Sequence, residues 1–229
     1  MIPDGGAQLI ESSGQRRGPY AKTKARRKEI LHTAIDVFAE AGYRGASLRE
    51  IAQRVGLSES GVVHHFGDKE TLLECVLEER DAEDLEHFPG IGAGGIEEVR
   101  ALASLVEFNA SRPRIVELFT ILSAEATASD HPAHSFFVER SKRIRAGTER
   151  AFVTVAEEGL LRPGVDPRLT ATTLIALMDG LQVQWLLDPD SVDMGASVAA
   201  FMCSVLVVPL WDEDDQAPLS EKTAASART

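Results

Sequence analysis

The residues with the clearest chemical potential are cations. Between Arg16 and Lys28 stand seven of them, Arg16, Arg17, Lys22, Lys24, Arg26, Arg27 and Lys28, with no acid among them. Such a cluster can neutralise phosphates, and each neutralised phosphate releases condensed counterions. The whole chain of 229 residues carries a formal net charge of −12, which argues against a nucleic-acid partner until its distribution is examined. Residues 1–69 hold 11 Lys and Arg against 8 Asp and Glu, whereas residues 70–229 hold 13 against 28. Local charge governs phosphate affinity, so a basic N-terminal part on an acidic body fits DNA binding. A solvated basic tail without function is the alternative.

Catalytic and metal chemistry find little support. The nucleophile elbow, the zinc-protease helix, the phosphate loop and the dinucleotide glycine pattern do not occur, so the chain is not expected to be an enzyme or to need a cofactor. His131 and His134 flank Pro132 beside Asp130. At a proline-broken helix junction, capping or exposure is expected rather than a metal site. Cys75 and Cys203 lie far apart and form no CxxC unit, so they read as small core residues of a reducing cytoplasm. The first twenty residues lack the apolar core of a signal peptide, and no run reaches the ~20 apolar residues that span a bilayer. A cytoplasmic protein without a membrane partner is expected.

The elements that must position the cations are helices, and the expected class is all-α. Residues 1–20 are polar and aperiodic, a flexible arm. Ile30, Leu31, Ala34, Ile35 and Phe38 recur at helical spacing over residues 22–41, with Gly42 as the stop. Ser47-Leu48-Arg49-Glu50 has the form of a capping box, which predicts a short helix burying Leu48, Ile51, Ala52 and Val55. Gly56 ends it, Leu57 plugs the turn, and Ser58 caps a third helix reaching Phe66. Asp68 caps a fourth, over about 68–86, with Leu72, Leu73, Val76 and Leu77 inward. The stretch Phe88–Gly95 cannot remain helical and divides a helix-turn-helix domain over 21–86, with its motif at 47–66, from a larger helical domain over 87–211. There, helices are predicted over about 96–111, 113–129, 133–158, 167–187 and 192–208, followed by a disordered tail over 212–229.

The array Phe38, Ala41-Gly42-Tyr43, Ser47, Ile51-Ala52, Gly56-Leu57-Ser58, His65-Phe66, Lys69 and Leu72-Leu73 resembles the N-terminal domain of regulators of the tetracycline-repressor (TetR) type. Further on, Asp166-Pro167 and the stretch from Met178 to Pro189 look like the closing helices of many members. The resemblance implies a DNA-binding transcription regulator, usually a repressor, although activation stays open. It implies DNA contacts at Ser47, Arg49, Ser58, Ser60, Gly61, His64, His65 and Lys69. Ser47 has an alternative as a plain cap, and His65 as a packing residue. Two departures stand out. Gly61 and Val63 occupy positions where many members have Thr and Tyr. Glu59 brings an acid where Lys or Pro is common, and it would repel phosphate unless it met a cytosine amino group.

The resemblance also implies a homodimer on a two-fold operator. Leu174, Leu177, Leu181, Trp185, Val198, Phe201, Val205 and Leu206 are candidates for its interface or for the protomer's own core. A small, largely apolar effector would lie among Phe108, Phe119, Leu122, Phe137, Met178 and Gln182, and would act by rotating the fourth helix. A packaging protein is disfavoured by the acidic body, and a regulator acting only through protein partners stays open.

Overall fold

The computed structural model describes residues 19–211. The arm expected over 1–20, apart from its last two residues, and the tail expected over 212–229 lie outside the described residues. The described chain is all helical: α1 (Pro19–Gly45), α2 (Leu48–Arg54), α3 (Glu59–Phe66), α4 (Lys69–His87), α5 (Gly95–Asn109), α6 (Pro113–Glu125), α7 (His134–Glu157), α8 (Pro167–Leu187) and α9 (Met194–Val205). No strand forms among the described residues; a lone antiparallel bridge joins Leu161 to Leu206.

The helix ends follow the capping chemistry. Asp68, Asp166 and Asp193 each accept a backbone N–H of the first turn of α4, α8 and α9. Ser47 accepts from Glu50 N at 3.2 Å, the first half of the expected box. The Glu50 carboxylate turns to Arg54 instead, at 2.7 Å. Gly42 does interrupt α1, with φ 65° and ψ 179°, but the helix resumes briefly to Gly45. That backbone region is essentially closed to residues with a Cβ.

Two cores result. The first joins Ile30, Leu31, Ala34, Val37 and Phe38 of α1 to Ile51, Val62, Phe66, Leu72, Leu73 and Leu77, and takes in Leu118, Phe119 and Leu122 of α6. The second packs α5, α7, α8 and α9 around Val99, Phe152, Leu174, Val198 and Met202. A side chain such as Phe38, fully enclosed in the first core, would cost ~3–5 kcal/mol on truncation to Ala. Although α6 lies beyond the glycine-rich stretch, its apolar face thus packs with the N-terminal helices. Ion pairs tie α4 to the later helices: Asp84 of α4 meets Arg80 at 3.0 Å and Arg112 at 2.6 Å. Asp81 takes Arg140 and Arg143 of α7 at 3.1 and 2.8 Å.

Two predicted helices run long. α6 ends at Glu125 rather than near residue 129. His134 explains the stop, because its Nδ1 lies 2.8 Å from Ala126 O and caps the final turn. α9 covers 194–205 rather than 192–208, since Arg162 N donates to Val205 O and Val207 N to Leu160 O. Those bonds draw the chain out of the helix.

Candidate nucleic-acid interface

The α2–α3 unit is held by a glycine turn and by cations from α1. Leu57 N donates to Ala52 O at 2.8 Å and Gly56 N to Gln53 O at 3.3 Å, while Gly56 sits at φ 67°. This paired arrangement satisfies the last carbonyls of α2 and fixes the angle at which α3 leaves. Ser58 accepts from Gly61 N at 3.2 Å and lies 3.0 Å from Ser60 Oγ.

α3 has a sharply divided surface. Val62 and Phe66 are buried, Gly61 and His65 are half-buried, and Glu59, Ser60, Val63 and His64 are exposed on the outer side. Ser47 and Arg49, at the front of α2, are exposed as well. The structure therefore exposes Ser58, Ser60 and His64 on α3 and its cap, and Ser47 and Arg49 at the start of α2. Gly61 differs. A Cβ there would lie 3.4 Å from Ser58 Oγ and 3.6 Å from Leu57 Cβ. A side chain at this position points toward the turn, so the glycine removes little from the outer face.

His65 and Lys69 are engaged inside the domain. The Arg27 guanidinium donates to His65 O and lies 4.1 Å from the centre of the Phe66 ring. Burial pushes the His65 imidazole below its ordinary pKa, and the neighbouring His64, Arg27 and Arg26 charges act in the same direction. Its ring centroid is 5.7 Å from that of His64. Lys69 Nζ donates to Tyr43 O at 2.9 Å and to Ala46 O at 3.0 Å, above the Tyr43 ring. Two of its three N–H bonds thus cap the end of α1, leaving one for any external anion.

Sequence reading missed these clamps. Arg26 reaches Val55 O at 3.3 Å, and Lys28 faces Glu83 at 3.4 Å, so the basic run on α1 is partly structural. Lys22 and Lys24 remain exposed. Arg54 bridges Glu40 and Glu50 at 2.6 and 2.7 Å, which lowers the Glu40 carboxyl pKa. Glu125 of α6 accepts Tyr43 N at 2.9 Å, beside the break at Gly42, and faces His131 Nε2 at 3.5 Å. His131 Nδ1 accepts Ala133 N–H at 3.1 Å. Among the described residues no group of three His, Cys, Asp or Glu side chains is placed to hold a metal ion. No described helix is long and apolar enough to cross a membrane.

The candidate effector residues divide between the cores. Phe119 and Leu122 are buried in the first, with Phe137 packed against it and its ring 5.8 Å from that of Phe119. Met178 packs on the second. Phe108 belongs to neither, stacked on His87 at 5.1 Å and edge-on to Phe88 at 5.5 Å. Gln182 is half-buried on α8, one turn beyond Met178. Of the eight candidates for the subunit interface, Leu174, Leu181, Val198, Val205 and Leu206 are buried in the protomer's own core, and Leu177, Trp185 and Phe201 are partly buried.

Comparison with known proteins agrees with this architecture. Residues 30–76 match the model of bacterial regulatory proteins of the tetR family, and residues 99–206 match that of the BetI-type transcriptional repressor C-terminal domain. The chain is similar to the regulator PksA of Bacillus subtilis (strain 168), 27% identical over 168 residues that make up 72% of this chain and 80% of that one. It is 46% identical over 54 residues to the repressor AcnR of Corynebacterium diphtheriae, covering 24% of this chain and 28% of AcnR. The structure of AibR, solved with isovaleryl coenzyme A and operator DNA, superposes with a TM-score of 0.62 at 27% identity, covering 77% of this chain and 95% of AibR. The chain belongs to the TetR family of bacterial transcriptional regulators, and α2–α3 is the helix-turn-helix of a DNA-binding protein.

Proposed function

We propose that the protein is a homodimeric repressor that seats α3 of each protomer in a major groove of its operator and departs when a small, largely apolar effector binds. The observation that carries the reading is the outer face of α3, polar, exposed and braced from behind by Arg27 and the Ser58 cap. Contacts are assigned to Ser47, Arg49, Ser58, Ser60, Gly61, His64, His65 and Lys69. Arg49, exposed at the front of α2, has the reach for a guanine edge, and Lys69 has one free N–H for a phosphate. The exposed Lys22 and Lys24 add counterion release.

Pairing is supported by α8. Leu169, Thr173, Ala176, Gly180, Val183 and Leu187 recur at helical spacing on one side, and all but the half-buried Gly180 are exposed. A Cβ at Gly180 would meet nothing within 4 Å. Small residues flanked by Leu and Val allow close approach of a second copy of the helix. For the effector, the candidates are Phe119 and Leu122 of the first core with Phe137 packed against it, Met178 on the second core, and the half-buried Phe108 and Gln182. A ligand among them would act on α4 through its ties to the later helices, Asp81 to Arg140 and Asp84 to Arg112. DNA and ligand would then oppose each other with a coupling of ~1–3 kcal/mol.

The test is a mobility shift with the duplex flanking the protein's own reading frame, with compounds selected by thermal shift then added. The expected result is a complex of two protomers that such a compound dissolves. A compound that raises Tm yet leaves the complex intact contradicts release, and no complex at low salt contradicts the DNA reading.

A further inference from the structure

The outer face of α3 carries two residues whose chemistry the family resemblance does not supply. Glu59 opens the helix, exposed to solvent, and no described residue offers it a hydrogen bond or an ion pair. Val63, one turn later on the same face, is 42% exposed and presents apolar surface beside Glu59, Ser60 and His64. Their Cα positions are separated by ~6 Å along the helix axis, about two base-pair steps. We propose that Glu59 and Val63 read the operator directly, Glu59 accepting a hydrogen bond from the exocyclic amine of a cytosine and Val63 packing on the methyl group of a nearby thymine. The proposal rests on the major-groove placement of α3 given above.

The charge of Glu59 selects the base. A carboxylate carried into the groove of a polyanion loses affinity unless it finds a donor. The first turn of α3, Glu59-Ser60-Gly61, contains no cation to neutralise it. Only cytosine N4 and adenine N6 offer N–H groups on the major-groove edge. Beside adenine N6 stands the N7 lone pair, which repels the second carboxylate oxygen. Beside cytosine N4 stands a C5–H, which does not. Cytosine is therefore favoured, while guanine, thymine and adenine in its place leave the carboxylate desolvated or repelled. Val63 offers only apolar surface, and the thymine methyl is the one apolar group on that edge. A competing role for Glu59, complementing the positive helix N-terminus, would change stability without changing base preference.

The experiment is selection of binding sites from random duplex DNA by the full chain and by its Glu59→Ala, Glu59→Gln and Val63→Ala variants, with Tm measured for each. The expected wild-type sites hold a cytosine in each half-site whose replacement weakens binding roughly ten-fold to a hundred-fold. Glu59→Ala should lose that dependence at an unchanged Tm, and Glu59→Gln should shift it toward adenine, whose N6 and N7 suit an amide. Val63→Ala should weaken a separate thymine dependence. Enriched half-sites without such a cytosine, or a cytosine dependence that survives Glu59→Ala, overturn the proposal while leaving the regulator reading standing. A thymine dependence unaltered by Val63→Ala removes Val63 from the readout. If the wild-type chain enriches no sequence at all, the operator reading falls together with it.

Discussion

Helices α3 and α8 each leave one side without a partner inside the protomer, and the two sides have opposite chemistry. On α3 the exposed set is Glu59, Ser60, Val63 and His64; on α8 a central stripe of Leu169, Thr173, Ala176, Val183 and Leu187 is exposed, flanked by Arg168, Thr172, Asp179 and Gln184. The first face is short, mostly polar and braced by hydrogen bonds from α1 and the helix cap. The second is long and has an apolar stripe with polar margins, with Leu169 68% and Leu187 81% exposed at its ends and Gly180 near its middle. A polar face can remain hydrated in a wet groove whose partner is a polyanion. An apolar face of this length gains only when a protein surface covers it. Exposure alone thus does not distinguish a DNA contact from a protein contact; the chemistry of the exposed side chains does.

The contrast can be broken from either side, and the largest effect is expected on α8. Gly180→Arg should prevent two α8 helices from approaching, giving a monomer by light scattering and a loss of operator affinity of roughly 10²–10⁴-fold as the paired attachment is lost. A dimer that survives this substitution places the interface elsewhere. Gly42→Ala acts behind the DNA-binding face. Its Cβ would stand 2.5 Å from Glu125 Oε1, at a backbone conformation of φ 65° and ψ 179°. A loss of ~2–4 kcal/mol is expected in chemical unfolding, and unfolding at the wild-type midpoint would show that the α1 break tolerates a side chain.

Smaller effects belong to the outer face of α3 and its supports. Arg49→Ala should cost ~1–3 kcal/mol in binding and relax preference at one base pair, read by titrating single-substituted duplexes. A uniform loss across sequences would move Arg49 to the phosphates. Lys69→Ala removes both carbonyl bonds at the end of α1, so ~1–3 kcal/mol of stability should go with it. If its third N–H also meets a phosphate, the salt slope falls by about one; an unchanged slope confines Lys69 to the fold.

The smallest effect concerns pH. The His65 pKa is lowered in the folded chain, so the unfolded state binds more protons just below the ordinary histidine value of ~6.5. The neutral-form advantage is complete above that value and is lost as pH falls through it. His65→Gln should therefore flatten the decline in stability between about pH 7 and 5.5. An undiminished decline would assign it to other groups.

Local signals made much of this legible. Asp166-Pro167 at one end and Asp188-Pro189 at the other bound α8 over 167–187, as its residues indicate. Ser58 and Asp68 cap the helices their spacing announces, and of the apolar stripe of α1 all but the partly buried Ile35 are enclosed. The unread part is long-range. Arg27 meets His65 across 38 residues, Lys69 meets Tyr43 across 26, and Tyr43 meets Glu125 across 82. No periodicity reports such pairs, so a basic run that looked wholly available to phosphate is partly committed to main-chain carbonyls. The union of α6 with the N-terminal core was hidden for the same reason. An apolar face shows that it will be covered, but not by which helix.

The central claim is that two α3 helices enter grooves on one side of a duplex. Hydroxyl-radical footprinting of the full chain on the DNA flanking its own reading frame tests it most directly. Two protected patches are predicted, with centres separated by a whole number of helical turns of ~10 base pairs, both disappearing when α8 pairing is disrupted by Gly180→Arg. Uniform protection along the duplex, or a single patch that persists in that variant, would contradict the account.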